Sequence, residues 1–153
     1  MRKRSKYRPK PVLLNPLGYV IEGMERLTEH SGNTLMLVKI KNHDAMTKIT
    51  KGVGTKAEID LLIAMINVCE ALYRAGFGTE YGPVLKAGLD ALLALAKRGK
   101  ETGKFILWAA ELTALNEVME LHDAQLEVIT VRDMENAVML VKKERASGRM
   151  QKI

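Results

Sequence analysis

The stretch that decides the fold is Phe105–Ile129, FILWAAELTALNEVMELHDAQLEVI. Its main apolar residues recur at spacings of three, four or seven and therefore share one helical face; they are Phe105, Trp108, Leu112, Leu115, Met119, Leu126 and Ile129. A second apolar stripe lies beside the first and consists of Leu107, Ala110, Ala114, Val118 and Leu121. Because two stripes would bring protein around more than half of the helix, the pattern predicts one long helix at the centre of a bundle.

The remaining face of this predicted helix is acidic. The stretch holds five acids (Glu111, Glu117, Glu120, Asp123, Glu127) and no Lys or Arg. A solvated surface is the simpler interpretation of such a face. The alternative is a docking strip for a basic partner, formed by Glu117, Glu120, Asp123 and Glu127.

Length and composition indicate a single globular domain. The chain has 153 residues, of which 47% are hydrophobic and 27% charged. No apolar run approaches the length of a membrane-spanning helix, and no uninterrupted apolar stretch follows the basic N-terminus as a secretory signal requires. Cys69, the single cysteine, is expected to be a buried thiol in a reducing cytoplasm.

Positive charge is concentrated at the N-terminus. The net charge is +6, and the first ten residues hold six bases and no acids, so residues 11–153 are formally neutral. Pro9 and Pro11 favour extended backbone in this arm. Basic residues release counterions when they meet phosphates, and an aromatic ring can stack on a base. The arm therefore predicts nucleic-acid contacts by Arg2, Lys3, Arg4, Lys6, Tyr7, Arg8 and Lys10; the alternatives are a solubilising tail or a segment lying on the acidic helix.

Residues 12–51 contain the segment that is hardest to assign. Asn15-Pro16 is typical of a helix start, and Ser31–Asn33 is expected to end that helix. Thr34–Lys41 alternates like a strand, which needs Val12–Leu14 or a second copy of the chain as its partner, unless the segment is helical. Asn42 is expected to cap a short helix that runs to Lys51. The lysines here form a second predicted nucleic-acid contact, through Lys39, Lys41 and Lys48.

The other helices have clearer boundaries. Thr55-x-x-Glu58 is a capping box that opens a helix through Tyr73, and Thr130-x-x-Asp133 opens the last helix, to about Ala146. Thr79 is expected to cap the helix between them, in which Gly82 and Gly88 allow close approach of a neighbour. The predicted domain organisation is a basic arm (1–11), one helical domain (12–148) and a basic tail (149–153).

The sequence favours a binding protein over an enzyme. It contains no Walker loop, no GxGxxG after a strand, no GxSxG and no HExxH. The histidines, His30, His43 and His122, are far apart, and no Glu-x-x-His pair suggests a carboxylate-bridged metal site. We therefore expect no catalytic residues, no metal and no cofactor.

Several blocks resemble a family of small phage and prophage proteins of uncharacterised function. They are the opening MRKRSKYRPK, KIKNH at 39–43, NVCEAL at 67–72 and ELHDAQLE at 120–127. Some members are labelled Fis-like transcriptional regulators, although this sequence has no Fis-like C-terminal helix-turn-helix pattern. The resemblance implies a phage-encoded accessory protein working in a bacterial cytoplasm.

Together these features predict a mostly all-α protein, a compact bundle of about five helices around a central long helix, with a short two-stranded β element and an extended basic arm. The expected function is non-enzymatic binding of DNA or RNA. The alternative is an effector that inhibits a host defence or nucleic-acid enzyme through the acidic face. The unpaired apolar segment at 35–40 also allows a homodimer.

Overall fold

The protein is mostly helical, as the sequence predicts. The computed structural model describes residues 22–148, and 83% of these are in helices. Within this range no strand or sheet forms, so the predicted β element is wrong for Thr34–Lys41; its suggested partner, Val12–Leu14, lies outside the described residues. The main helices are α1 Leu27–Thr50, α2 Lys56–Arg74, α3 Gly82–Thr102, α4 Ala109–Val128 and α5 Val131–Ala146.

Three of the boundaries predicted from the sequence are wrong in the region of α1. This helix passes through Ser31–Asn33 without ending, includes all of Thr34–Lys41, and places Asn42 in its interior rather than at an N-cap. Gly and Asn disfavour a helix by about 1 kcal/mol each or less. Burying a leucine contributes about 1.5–3 kcal/mol, and buried leucines lie on both sides of the predicted break, at Leu27 and Leu35. Packing therefore outweighs the local signal.

Burial follows a helical period along α1. Leu35, Asn42, Met46 and Ile49 are spaced by seven, four and three residues and are all buried. Met36 and Ile40, which the alternation grouped on one strand face, are instead 63% and 55% exposed. The apolar alternation thus lies on a helix whose opposite sides face the core and the solvent.

Helix α4 begins four residues later than the predicted start at Phe105. Its first turn is held by Glu111, whose side chain accepts a hydrogen bond of 3.0 Å from the Trp108 backbone N–H. Arg98 donates to Glu111 Oε1 at 3.0 Å and to the Ile106 carbonyl at 2.8 Å, and its guanidinium lies 4.3 Å from the Trp108 ring centroid. These contacts of Arg98 keep residues 105–108 out of the helix, which therefore begins at Ala109.

Two predicted capping boxes are confirmed, and one predicted cap is wrong. Thr55 and Glu58 form the box that opens α2, and Thr130 and Asp133 form the box that opens α5. Thr79 does not cap α3. It begins a short 3-10 helix, Thr79–Tyr81, after which α3 starts at Gly82.

The core consists of two hydrophobic clusters, and α2 and α4 contribute to both. The larger cluster contains residues of α1, α2, α3 and α4, among them Leu62, Ile66, Leu95 and Leu115. The smaller joins Leu72 and Leu126 to residues of α1 and α5. The start of α1 is fixed beside the α4–α5 junction, because the Leu27 N–H donates to the Ile129 carbonyl at 3.0 Å. Among the described residues, no helix combines the length and apolar character needed to cross a membrane.

Gly88 brings α3 close to α4, as expected from the sequence. A Cβ at Gly88 would lie 2.7 Å from Val118 Cβ, whereas a Cβ at Gly32 in α1 would meet nothing within 4 Å. We predict that Gly88→Ala lowers the free energy of unfolding by about 1–3 kcal/mol because it overpacks the contact. Gly32→Ala should raise it by about 0.5–1 kcal/mol through lower backbone entropy of the unfolded chain. Urea unfolding of both variants measures the difference, and equal effects would contradict the close contact.

Candidate functional site

The surplus positive charge of the chain lies in residues that the structure does not describe. Eight of its 24 Lys and Arg residues are in residues 1–21 and 149–153, and none of its 18 Asp and Glu residues is, so residues 22–148 carry 16 bases against 18 acids. The predicted contacts of the arm lie outside the described residues; they are Arg2, Lys3, Arg4, Lys6, Tyr7, Arg8 and Lys10. The folded body alone is therefore slightly acidic.

The predicted lysine patch is only partly available for phosphate. Lys39 donates to Glu127, and Lys48 Nζ lies 2.9 Å from Asp44 Oδ2. The hydrogen bond and charge of Asp44 raise the pKa of Lys48. Lys41 is exposed and forms no ion pair within residues 22–148. A phosphate would have to compete with a carboxylate at two of the three lysines.

The predicted acidic face splits into two halves. Asp123 Oδ2 lies 2.8 Å from His43 Nε2, and Glu127 accepts from Lys39, so the C-terminal half binds α1. Glu117 and Glu120, one or two turns earlier on α4, are exposed. The structure thus brings one predicted nucleic-acid contact and two predicted protein-binding residues together in a single α1–α4 contact.

An apolar groove between α1, α2, α4 and α5 was not found from the sequence. It has a volume of about 370 Å³ and is lined by Leu27, Thr34, Leu35, Val38, Asn42, Leu61, Ala64, Met65, Val68, His122 and Met134. Its size falls within the range of small-molecule pockets in proteins. Thr34, Asn42 and His122 supply its polar side chains.

The two most enclosed polar residues of the groove differ in their hydrogen bonds. Asn42 and His122 are each 3% exposed. His122 Nδ1 lies 3.5 Å from Gln125 Oε1, and burial lowers the pKa of His122, which keeps the imidazole neutral near pH 7. The Asn42 side-chain amide, by contrast, has no hydrogen-bond partner in the described part of the chain. The groove therefore contains an amide whose bonding capacity is unused.

The signal for this groove was present in the sequence but was hidden by the wrong boundaries. When Thr34–Lys41 is read as helix, Thr34, Val38 and Asn42 fall four residues apart and point to the same side. Because Asn42 was predicted to be an N-cap, its side chain was expected at a helix end and not in a groove between helices.

The remaining reactive groups do not form a chemical site in the described residues. Burial raises the pKa of the Cys69 thiol to about 12, so this cysteine is a poor nucleophile at neutral pH. No group of three or more His, Cys, Asp or Glu side chains within residues 22–148 is placed to hold a metal ion. The groove and the charged surfaces are therefore the candidate binding features of the body.

Comparison with protein-family models, curated proteins and solved structures finds no match to this chain.

Proposed function

We propose that this protein is a non-enzymatic, phage-encoded accessory or regulatory protein that binds nucleic acid through its basic arm and acts as a homodimer. The phage context rests on the resemblance of the opening decapeptide and of the block at 120–127. The binding residues are those of the arm, with Lys41 of α1 as a further contact.

The observation that carries this proposal is the separation of charge between arm and body. The body has more acids than bases, and two of the three lysines predicted to bind phosphate already bind carboxylates. The net positive charge of the chain then comes from its ends, and six of the eight bases there lie between residues 2 and 10. Non-specific nucleic-acid affinity comes largely from such cations.

The proposed dimer uses the solvent-facing side of α1. Met36, Leu37 and Ile40 are 63%, 58% and 55% exposed and adjoin one another on this helix. Contiguous exposed apolar residues are a common mark of protein interfaces. Two arms held by one dimer would also bind a polymer more tightly than one arm, because the second contact is intramolecular.

Charge complementarity favours a second copy as the occupant of this face. In an antiparallel pairing of two α1 helices, setting Leu37 opposite Ile40 of the partner also sets Glu29 opposite Lys48 of the partner. Twofold symmetry produces each of these pairings twice. Glu29 and Lys48 are both exposed, so each end of the apolar centre would have an ion pair, in which Lys48 is shared with Asp44 of its own helix.

An effector that binds a basic host protein is the alternative function. Glu117 and Glu120 favour it, because both are exposed and neither forms an ion pair within residues 22–148. Asp123 and Glu127 support it less, since each already contacts α1. The nucleic-acid experiment below separates the two functions.

Replacing Arg2, Arg4 and Arg8 together by Gln should weaken binding to random-sequence duplex DNA. Each cation that meets a phosphate adds about −0.9 to the slope of log K against log salt, so the slope should become shallower by about 2.7. Fluorescence anisotropy across 50–200 mM salt measures it.

The matched control is the replacement of Lys97, Lys100 and Lys104 by Gln. These lysines are exposed on the body, and their loss removes the same charge. We expect it to leave the slope unchanged. Equal effects of the two triple variants would contradict an arm-specific contact, and no binding by the full chain at low salt would reject the function and favour the effector.

Ile40→Glu should convert the dimer to a monomer, because it buries a carboxylate against an apolar residue of the partner at the centre of the interface. We expect the dimer dissociation constant to rise by about tenfold or more, measured by sedimentation velocity. Met139→Glu, at an apolar residue of α5 that is 67% exposed, is the matched control and should leave the dimer intact.

Charge reversal tests the antiparallel arrangement itself. Glu29→Lys should weaken the dimer, and adding Lys48→Glu in the same chain should restore it, because both ion pairs are re-formed with opposite polarity. A monomeric wild-type chain, or a double variant weaker than either single variant, would contradict the arrangement.

A further inference from the structure

Apolar side chains from three helices line the groove, and α4 contributes His122. Leu35 and Val38 of α1, Leu61 and Met65 of α2 and Met134 of α5 make up most of its wall. Its volume of about 370 Å³ is large enough for a molecule of about ten non-hydrogen atoms. Val38 is 42% exposed, so one side of the groove is open to solvent.

Asn42 sets a chemical requirement inside this apolar space. Its side chain is 3% exposed and lines the groove, yet no donor or acceptor from residues 22–148 pairs with it. A ligand group that both donates and accepts a hydrogen bond matches this side chain, since a carboxamide does both.

The lining also decides the charge of the ligand. Among the described residues, no Lys, Arg, Asp or Glu lines the groove, and His122 is held neutral by burial. A charged head group would lose hydration there without gaining a counter-charge. An uncharged polar group on an apolar body is the chemistry that fits.

We infer that this groove binds a small uncharged molecule, mostly apolar, whose single carboxamide or hydroxyl group pairs with the side chain of Asn42. The site is separate from the proposed dimer face, because Met36, Leu37 and Ile40 do not line it.

The test uses three probes with the same seven-carbon tail: octanamide, octanoate and heptylamine. Isothermal titration calorimetry of the full chain near pH 7 should show binding of octanamide, at least about tenfold tighter than either charged probe. Asn42→Leu, which keeps the side-chain volume, should weaken octanamide binding by about tenfold, as expected for the loss of one hydrogen bond. Asn116→Leu, an exposed Asn of α4 away from the groove, is the matched control and should change nothing.

Two further measurements keep the test independent of folding defects. Asn42→Leu should leave the Tm of the ligand-free protein within about 2 °C of the wild-type value, because it keeps the side-chain volume and breaks no hydrogen bond to residues 22–148. Ala64→Phe fills the groove from an exposed position of α2 and should abolish binding of octanamide while the chain stays folded.

Several results would overturn the inference. They are no octanamide binding up to its solubility limit, equal affinity for charged and uncharged probes, or octanamide binding that neither Asn42→Leu nor Ala64→Phe weakens. If Ala64→Phe makes residues 12–21 newly sensitive to protease, or changes the sedimentation coefficient, the occupant is the protein's own segment or a second copy. Either outcome also excludes the small molecule.

Discussion

The continuity of α1 is the constraint on which the rest of the structure depends. Because the helix is unbroken from Leu27 to Thr50, its 3.6-residue period distributes the side chains over separate surfaces. Met46 and Ile49 enter the core, Lys39 and His43 reach α4, and Val38 and Asn42 enter the groove. A break at Gly32 or Asn33 would rotate one half of the helix relative to the other and remove this arrangement.

The features that sequence reasoning predicted well are those decided by neighbouring residues. The capping boxes at Thr55 and Thr130 involve side chains three residues apart, so the sequence alone contains them. The all-α class follows in the same way from the long apolar periodicities of α2 and α4. Close packing at Gly88 was also readable, because a glycine between leucines of one helix face leaves room for a neighbour.

The features that were missed depend on distant contacts. The apolar pattern of a segment as short as the eight residues Thr34–Lys41 fits a period of two as well as a period of 3.6. Only the burial of Leu35 and Asn42 against other helices decides between strand and helix. Likewise, Phe105–Trp108 continues the apolar stripe of α4, but the bonds of Arg98 to Glu111 and to the Ile106 carbonyl start the helix later. The charge pairing of Lys39 with Glu127, 88 residues away, was equally invisible.

The basic residues and the apolar groove are separate candidate binding features of the protein. The net positive charge of the chain lies in residues 1–21 and 149–153, while seven of the 16 cations of residues 22–148 bind nearby acids such as Asp60, Glu70 and Asp90. Exposed pairs of this kind contribute little to stability but do cancel the local field. The groove, lined by uncharged residues, belongs to a different chemistry, so occupancy of one feature need not disturb the other.

The most direct test of this account is the backbone conformation of residues 27–50 in the full chain, measured by NMR as Cα chemical shifts and amide hydrogen exchange. The account predicts helical shifts without interruption from Leu27 to Thr50 and slow exchange through Asn42. Extended-chain shifts at Thr34–Lys41, or a loss of helical shifts at Gly32–Asn33, would contradict the continuity of α1 and with it the groove and the dimer face.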